Sequence, residues 1–266
     1  AGTGGTLDIH AIDVGQGDAL AIRSPAGRWI VVDTGIRSDD YDAGRSRVVP
    51  FLRQHGVRRV DILILTHPHA DHIGGTIALL DAFDVGVIID PAVAAGSEVY
   101  AETLGRARRL GVRWVAARPG REIALGDVVI QVLAPLENVL DASADPNDYS
   151  AVFRLAYGRF GALFLGDAPM EVENELVARH GAALAAQLLK VGHHGSLTST
   201  GDSLLAAIRP SLAIVSAGRR NRYGHPHARV LARLAGHGVR VLRTDERGTI
   251  SVRVDARGEM TATSTR

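Results

Sequence analysis

The feature that most constrains the fold of this chain is an apolar run that ends directly in a cluster of histidines. The run Ile62–Leu65 is followed by the segment Thr66-His67-Pro68-His69-Ala70-Asp71-His72, which places three histidines and one aspartate within six positions. A short, continuous apolar run is typical of a strand that is buried on both faces. The sequence therefore predicts a buried strand whose end brings these four side chains into one loop.

The four side chains of this loop are suited to binding a metal ion. Imidazole nitrogens and carboxylate oxygens are ligands for Zn²⁺, Mn²⁺ and iron, and a tight loop at a strand end can direct them to one point. The alternative is a solvated polar loop before a helix that Gly74–Gly75 opens, with Asp71 or Thr66 as a cap. Packing hardly explains so many histidines, so we favour the metal site. Because the chain contains no cysteine, histidines and carboxylates must supply the protein ligands.

The rest of the chain alternates strands and helices in two similar halves. The first half opens with strand-like runs at Leu7–Val14, Asp18–Arg23 and Arg28–Asp33, and the second with a hairpin over Ala151–Tyr157 and Ala162–Leu165. Single strands and helices then alternate in each half, which indicates an α/β fold. Two such halves packed sheet to sheet would make a four-layer αββα sandwich, and an ordinary three-layer sheet is the alternative. Without a linker or short repeat, we predict one domain over residues 1–266.

The composition excludes several classes of protein. With 46% hydrophobic and 22% charged residues among 266, the chain has the make-up of a folded globular protein, not of a disordered, collagen-like or coiled-coil one. No apolar stretch approaches the roughly 20 residues of a membrane span, so we expect a soluble chain. Its formal net charge of +1 gives no overall attraction to nucleic acid. It begins at Ala1, which fits a mature form or a domain cut from a longer protein.

The pattern His67-x-His69-x-Asp71-His72 resembles the HxHxDH signature of the metallo-β-lactamase-fold hydrolases. This resemblance implies the αββα sandwich and a centre with two divalent metal ions. It also implies that His67 and His69 bind the first ion, whereas Asp71 and His72 bind the second. We count Asp71 among the catalytic residues as well.

Two further aspartates match positions of that superfamily. Asp33 follows the run Trp29–Val32 and resembles the early aspartate that supports the metal loop from outside the ligand set. The alternative is an aspartate that only starts a turn. Asp167, at the end of Leu163–Gly166, resembles the aspartate that bridges the two cations and screens their repulsion. On its own, the Gly-Asp pair would indicate just a turn.

The adjacent pair His193–His194 supplies the last strand-end histidine that the superfamily uses as a ligand. Neighbouring side chains at a strand end point to opposite faces, so we expect only one of the two to bind metal. We favour His194 as the ligand. We assign His193 to the shell around the ligands, where it binds a substrate phosphate or is an ordinary polar residue.

The sequence departs from the superfamily at one point. Many members place another metal-binding histidine between the main motif and the bridging aspartate, but the interval from His72 to Asp167 contains none. The nearest candidates are Asn147, Asp148 and Ser150, and we assign Asp148 as the replacement ligand. An oxygen is a harder ligand, in the sense of hard and soft Lewis bases, than an imidazole nitrogen. A site of two histidines and one oxygen therefore favours Mn²⁺ more than a site of three histidines does, and Zn²⁺ is the alternative.

Three longer segments, Ala11–Ala19, Lys190–Ser196 and Arg219–His227, look like the C-terminal domain of the ComEC competence proteins. The resemblance runs from about residue 7 to about residue 250. It implies a DNA nuclease that degrades the non-transported strand during natural transformation. It also implies a membrane channel domain in the same parent protein, a location at the extracytoplasmic face of the cell membrane, and single-stranded DNA as partner.

The residues of these segments are compatible with phosphate chemistry. The turn Gly15–Asp18 could direct backbone N–H groups at the site, or it is simply a glycine-rich hairpin. A dense basic cluster with one aromatic ring comprises Arg219, Arg220, Asn221, Arg222 and Tyr223. The guanidinium of an arginine can bind two phosphate oxygens at once, and a tyrosine ring can stack on a base. The alternative is a solvated basic loop without a ligand. We expect His225 or His227 to bind a phosphate oxygen or to protonate the leaving group.

We therefore expect a metal-dependent phosphodiesterase, and specifically a DNA nuclease. One alternative is a surface phosphodiesterase of the phosphorylcholine-esterase type, which would use the same metal ligands. A second alternative is a catalytically idle module that guides DNA. Hydrolysis of β-lactams ranks lowest, because the missing histidine and the competence-type segments argue against it.

Overall fold

The computed structural model describes residues 5–93, 96–137 and 145–266, which form two β-sheets with helices outside them. The strands are β1 (Leu7–Ala11), β2 (Leu20–Arg23), β3 (Trp29–Val32), β4 (Arg59–Ile64), β5 (Asp84–Asp90), β6 (Arg113–Ala116), β7 (Glu122–Leu125), β8 (Val128–Val132), β9 (Phe153–Tyr157), β10 (Phe160–Phe164), β11 (Leu188–Lys190), β12 (Leu212–Val215), β13 (Arg240–Arg243), β14 (Ile250–Val254) and β15 (Met260–Ser264). The helices are α1 (Val49–Gln54), α2 (Ala70–Ile73), α3 (Thr76–Ala82), α4 (Glu98–Arg109), α5 (Met170–His180), α6 (Asp202–Ile208), α7 (Ala228–Gly236) and α8 (Thr244–Arg247). Among these helices, none combines the length and the apolar character that crossing a membrane requires.

The two sheets follow the same plan. The strand order is β15-β14-β1-β2-β3-β4-β5-β6 in the first sheet and β13-β12-β11-β10-β9-β8-β7 in the second. In each sheet, antiparallel strands lead into a parallel set, which is β3 to β6 in the first and β10 to β13 in the second. Parallel strands end at the same edge of a sheet, so the loops that follow them are brought close together.

Three apolar layers hold the sandwich together. Along β4, Ile62 and Ile64 face the core between the sheets, whereas Leu63 faces the helices of the first half. Along β10, Phe164 lies in the same central core and Leu163 faces the helices of the second half. Burying one such side chain stabilises the fold by about 1.5–3 kcal/mol. A core between two sheets and one under each set of helices confirm the αββα prediction over the three-layer alternative.

Two edge strands were not predicted. The strand β7 at one edge of the second sheet and β15 at one edge of the first are largely half-buried or exposed. In β15, Met-Thr-Ala-Thr-Ser, only Met260 and Ala262 are apolar and packed on the central core, and this alternation is too short to predict a strand. The apolar residues of the segment Arg45–His55 predict a single amphipathic helix, but in the structure the first part, Gly44–Val48, is a π-helical turn that leads into α1.

One buried histidine of the fold lies outside the predicted site. His10 on β1 is 7% exposed, packs against the rings of Trp29 and Phe51, and has its Nδ1 2.8 Å from the Ser251 hydroxyl. Burial, and after it the nearby His55, lowers the pKa of His10 from 6.5 to about 4. The folded chain thus keeps this ring neutral at pH values where the unfolded chain protonates it. Stability is therefore lost as the pH falls from 6.5 towards 4.

We expect the substitution His10→Phe to remove this dependence, because phenylalanine keeps the aromatic packing and cannot bind a proton. Between pH 6.5 and 4, the free energy of unfolding should fall by about 3 kcal/mol more in the wild type than in the variant. Urea unfolding at several pH values measures the difference. The substitution His180→Phe, at the end of α5, is the matched control and should leave the wild-type slope. Equal slopes for His10→Phe and the wild type would contradict the prediction.

Candidate metal centre

The predicted site converges on the carboxylate of Asp167, which follows β10 and is 2% exposed. Its Oδ2 lies 3.3 Å from Nε2 of His72, 3.6 Å from Nε2 of His193, 3.7 Å from Nε2 of His194 and 3.8 Å from Nε2 of His67. Four imidazole nitrogens therefore surround one carboxylate oxygen. This concentration of donors lies where loops of both sheets meet.

The topology explains the convergence. The loop after β4 carries His67 and His69, and the first turn of α2 carries Asp71 and His72. The loops after β10 and β11 carry Asp167 and the histidine pair of the second sheet. All these segments follow strands of the two parallel sets, so their side chains reach the same edge of the sandwich.

Four of the donors form two close pairs near Asp167. His67 Nε2 lies 3.0 Å from His69 Nδ1, and His72 Nε2 lies 3.3 Å from His194 Nε2. Two imidazole nitrogens at such distances must share a proton or a cation, because their lone pairs otherwise repel. The HxHxDH pattern also groups His67 with His69, whereas the structure places His72 beside His194.

A second observation also fits a cation. Asp167 Oδ1 and Asp18 Oδ1 are both buried and have no hydrogen-bond partner among the described residues. A buried polar atom without a partner is costly, and a bound cation would satisfy it. Asp18, His72, Asp167 and His194 each offer one ligand atom, and all four atoms lie within 4.8 Å of one another. The residues present therefore fit a divalent metal.

The charges around the centre favour a cation as well. Burial by itself lowers the pKa of His194, but Asp167, Asp18 and Asp71 outweigh it and raise this pKa to about 9. Asp167 likewise leads the groups that hold the pKa of His72 well above its ordinary value, again against burial. Such a site attracts positive charge, so metal uptake displaces protons from these rings.

Asp33 fixes the orientation of His72 from behind. Its Oδ1 accepts the backbone N–H of Thr66 at 2.8 Å, and its Oδ2 accepts the Thr66 hydroxyl at 2.7 Å. The same Oδ2 accepts the Nδ1–H of His72 at 2.8 Å. Because Nδ1 carries the proton, Nε2 of His72 is free to bind metal. The structure thus places Asp33 in contact with both His72 and the start of the metal loop.

The expectation that strand alternation separates His193 from His194 does not hold. Both residues lie beyond the end of β11 in the turn Gly192–Gly195 and adopt left-handed backbone angles, with φ of 47° and 55°. Successive side chains in such a turn need not point to opposite faces. The Nε2 atoms of both therefore reach Asp167, while Nδ1 of His193 lies 3.0 Å from the Thr198 hydroxyl.

The assignment of Asp148 as a ligand is not supported by its position. Asp148 is partly exposed, and among the described residues no ion pair joins it to a histidine of the centre, in contrast to Asp167 and Asp71. Burial and the nearby carboxylates of Asp145 and Glu171 raise its pKa, so its surroundings are acidic. The same segment instead contributes Ser150, which is fully buried and whose Oγ accepts the backbone N–H of Asp167 at 3.3 Å.

A cavity of about 310 Å³ opens above the metal centre. Its lining residues are Gln16, His69, Ala70, Asp71, Asp167, His193, His194, Tyr223 and His225. Nδ1 of His225 is buried without a hydrogen-bond partner among the described residues. His227 does not line this cavity; its Nδ1 accepts the backbone N–H of Arg229 at 3.2 Å and caps α7. The structure thus separates the two predicted histidines, with His225 at the site and His227 at a helix end.

The predicted basic cluster has two kinds of residue. Arg219, Arg220 and Arg222 are exposed, and the Arg222 guanidinium lies 5.0 Å from the centre of the Tyr223 ring. Asn221 is instead committed to the loop itself. Its Oδ1 accepts two backbone N–H groups, and its Nδ2 donates to the carbonyls of Gly218 and His225. Asn221 therefore shapes the loop, and the arginines and Tyr223 remain for a ligand.

Sequence reasoning missed Asp18, the carboxylate of the turn that follows β1. Burial by itself raises its pKa, but the ammonium group of Lys190 and the imidazole of His194 hold it below the ordinary value. The signal that the sequence offered was the glycine next to Asp18, Gly17. The structure gives the reason for this glycine: it has φ of +123°, and a Cβ would lie 2.1 Å from the Asp71 carbonyl oxygen. A glycine pressed on the metal loop implies that its neighbour Asp18 also reaches the centre.

The substitution Asp33→Asn should weaken metal binding by about 10- to 100-fold, because an amide no longer ensures a proton on Nδ1 of His72. Asparagine tolerates the positive φ of 56° at this position. Chelator competition with Zn²⁺ or Mn²⁺ measures the affinity. The control is Asp90→Asn, which changes a buried carboxylate bound by Tyr100 and Trp114. An equal loss of affinity in both variants would show a general effect of stability instead.

The chain is similar to known proteins over most of its length. A family model described as the metallo-beta-lactamase superfamily matches residues 12–219. The chain is 34% identical over 258 residues to ComE operon protein 3 of Bacillus subtilis, covering 92% of this chain and 33% of that protein. It is 34% identical over 238 residues to competence protein ComA of Neisseria gonorrhoeae, covering 90% of this chain and 31% of that protein. The predicted resemblance to competence proteins is thus confirmed, although the chain spans about a third of these relatives' length.

A solved structure shows the same fold. The metallo-beta-lactamase fold protein YhfI from Bacillus subtilis superposes with a TM-score of 0.59 and 12% sequence identity, covering 97% of this chain and 100% of that one. At this identity, the likeness shows the fold alone. It agrees with the two sheets and the three apolar layers described above.

Proposed function

The chain belongs to the metallo-beta-lactamase superfamily, and on this premise we propose that its metal centre is the active site of a metal-dependent phosphodiesterase. The substrate is DNA, and the reaction degrades the non-transported strand during natural transformation. One observation carries the proposal: the cavity above the metal centre is lined by His225 and Tyr223, and the Tyr223 ring continues outward to the Arg222 guanidinium. A ligand with phosphates and bases fits this arrangement of an imidazole, an aromatic ring and a guanidinium beside the metal centre.

The names of two relatives support the biological setting. Both ComE operon protein 3 and competence protein ComA are about three times longer than the matched region. We propose by analogy that this chain works as part of a longer protein, next to a membrane channel domain and at the extracytoplasmic face of the membrane.

Two divalent ions would be held by the two subsets of ligands with Asp167 between them. His67 and His69 form one subset, and His72 and His194 with Asp71 form the other. The mixture of imidazoles and carboxylates favours Mn²⁺, with Zn²⁺ as the alternative. When bound, such ions polarise a phosphoryl oxygen and lower the pKa of water.

The residues of the chain hold the reacting groups in place. Asp33 holds the ring of His72 by accepting its Nδ1–H, and Ser150 holds Asp167 by accepting its backbone N–H. The ligand atoms are therefore aligned before substrate arrives. Burial, followed by the neighbouring His194 and His193, lowers the pKa of His225. A neutral imidazole at the cavity wall, whose Nδ1 has no hydrogen-bond partner within the described part of the chain, suits a hydrogen bond with the phosphate or with the leaving group.

The exposed part of the site suits a single strand. The Tyr223 ring is 54% exposed and stacks on His225 with 5.8 Å between the ring centres and 24° between their planes. An exposed ring can stack on a base, and the adjacent arginines can pair with the phosphates. Double-stranded DNA offers no open base face to such a ring.

Cleavage assays test the reaction. Protein stripped with EDTA and then given Mn²⁺, Mg²⁺ or Zn²⁺ in turn should cut fluorescent single-stranded DNA, best with Mn²⁺. The substitution Asp167→Ala should reduce this activity to background, because both ligand subsets lose their shared carboxylate. Bis-p-nitrophenyl phosphate and double-stranded DNA are tested beside it. Turnover of the small diester with both DNA substrates intact would move the assignment to a surface phosphodiesterase.

A matched pair of variants tests the two histidines near the cavity. His225→Asn should lower kcat, since the cavity loses its imidazole. His227→Asn should keep wild-type activity, because asparagine is also a good N-cap. The same cleavage assay reads both variants. A loss of activity in His227→Asn at unchanged melting temperature would show that His227 takes part in the reaction.

The salt dependence of binding tests the DNA surface. Arg222→Ala should weaken binding of single-stranded DNA and reduce the slope of log K against log salt by roughly 0.7, the value for one phosphate contact. Tyr223→Ala should weaken binding by about 1–3 kcal/mol with the slope unchanged, since stacking is not ionic. Fluorescence anisotropy with a catalytically inactive protein gives both numbers. Arg109→Ala, on α4, is the control and should alter neither.

A further inference from the structure

The only lysine of this chain is buried beneath the metal centre. The sequence has 30 basic residues, of which 29 are arginines and one is Lys190. Lys190 ends β11 and is 2% exposed, whereas exposed positions throughout the chain use arginine. A lysine in this place offers a compact point charge, which the larger planar guanidinium of arginine does not. The pattern indicates that a compact cation is required at this one position.

Lys190 joins the two sheets through Asp18. Its Nζ lies 2.8 Å from Asp18 Oδ2 and donates to the Val191 carbonyl at 2.9 Å. Lys190 belongs to the second sheet, whereas Asp18 precedes β2 of the first. An ion pair that is 2% exposed on both sides is costly to bury. It is therefore a weak means of stabilising the fold, and another role must be considered.

The main chain fixes Asp18 against the metal loop. Its N–H donates to the Asp71 carbonyl at 3.2 Å, and its carbonyl accepts the N–H of Gly35 at 2.8 Å. With Oδ2 taken by Lys190, the other oxygen, Oδ1, lies 3.5 Å from Nδ1 of His194. The same Nδ1 is 3.1 Å from the Ser216 carbonyl. Both neighbours of Nδ1 are acceptors, so this nitrogen carries a proton.

We propose that the Lys190–Asp18 pair is a positioning device for His194: Lys190 holds Asp18 so that its negative charge, together with the Ser216 carbonyl that accepts the Nδ1–H, keeps the proton on Nδ1 and directs Nε2 to the metal centre. Nε2 faces Asp71, His72 and Asp167 on the other side of the ring. Asp18 is one of the four groups whose ligand atoms lie close together, but on this proposal its Oδ1 faces Nδ1 of His194 and it acts through that ring instead of binding the ion. Neither Asp18 nor Lys190 lines the cavity, which separates both from the residues that contact substrate.

This inference rests on the metal-dependent function proposed above, but its test does not require DNA cleavage. Zn²⁺ stoichiometry and affinity are measured by chelator competition in Asp18→Asn and Lys190→Met. Positioning predicts two results: each variant binds as many ions as the wild type, and each binds them about 10- to 100-fold more weakly. Unchanged affinity in folded variants would overturn the proposal. Loss of one ion in Asp18→Asn alone would also overturn it, since Asp18 would then be a ligand.

A double variant separates positioning from stability. Replacing a buried ion pair by apolar residues is often neutral for folding, so Asp18→Leu combined with Lys190→Met should keep the thermal stability of the metal-free chain. It should nevertheless bind Zn²⁺ as weakly as the single variants. Wild-type affinity in this double variant would show that the pair is not needed to orient His194.

A measurement on the wild-type chain remains decisive if the variants fail to fold. In Zn²⁺-loaded protein with ¹⁵N-labelled histidine, long-range ¹⁵N–¹H correlation spectra report which ring nitrogen carries a proton. The spectrum of His194, assigned by comparison with His194→Gln, should show a protonated Nδ1 and a metal-bound Nε2. A metal-bound Nδ1 would overturn the proposal. This result is independent of whether the chain cleaves DNA.

Discussion

The metal centre depends on one electrostatic constraint, which is the burial of several carboxylates where the two sheets meet. Removing a carboxylate from water is costly, and neighbouring carboxylates repel one another strongly in a medium of low dielectric constant. Asp167 and Asp18 are each 2% exposed or less, and each has an oxygen without a described partner. The raised pKa values of His72 and His194 are the response of the chain to this negative charge. The atoms that hold protons here are the same atoms that would bind a cation.

Because these carboxylates are buried close together, many residues around the centre serve to hold the ligand loops in place. Asp33 fixes both the end of β4 and the ring of His72. Glu173 on α5 accepts hydrogen bonds from Ser199, Thr200 and Gly201, which steadies the loop that follows the histidine pair. Ligand atoms at such short distances tolerate little movement, so each ligand loop needs its own buried anchor.

Features encoded in neighbouring residues were predictable. The apolar periodicity of the sequence predicts helices over Thr76–Ala82, Met170–His180 and Asp202–Ile208, and the structure has helices with these bounds, because periodicity is a local signal. The strand before His67 was predictable for the same reason, since a run of four apolar residues needs cover on both faces. The αββα arrangement followed from the order of the elements together with the resemblance to a known family.

Features that depend on contacts between distant segments were not predictable. Asp18 and Lys190 are 172 positions apart and meet only because the two sheets pack face to face. The rule of strand alternation failed at His193 because the chain leaves the strand in a left-handed turn. Asp148 looked like a ligand from its place in the sequence, but only the folded chain shows that Ser150 is the residue beside Asp167.

The distribution of basic residues adds a physical argument about how the chain divides its tasks. At the surface, arginines such as Arg222 are weakly hydrated, remain charged and present several donors, which suits contact with a flexible chain of phosphates. Beneath the centre, a guanidinium would bring more donors than Asp18 and the Val191 carbonyl can accept, and each unpaired donor would be costly. A lysine ammonium has fewer donors and rotates freely to meet its acceptors. The different needs of solvent-facing recognition and buried orientation therefore account for arginine at Arg222 and lysine at Lys190.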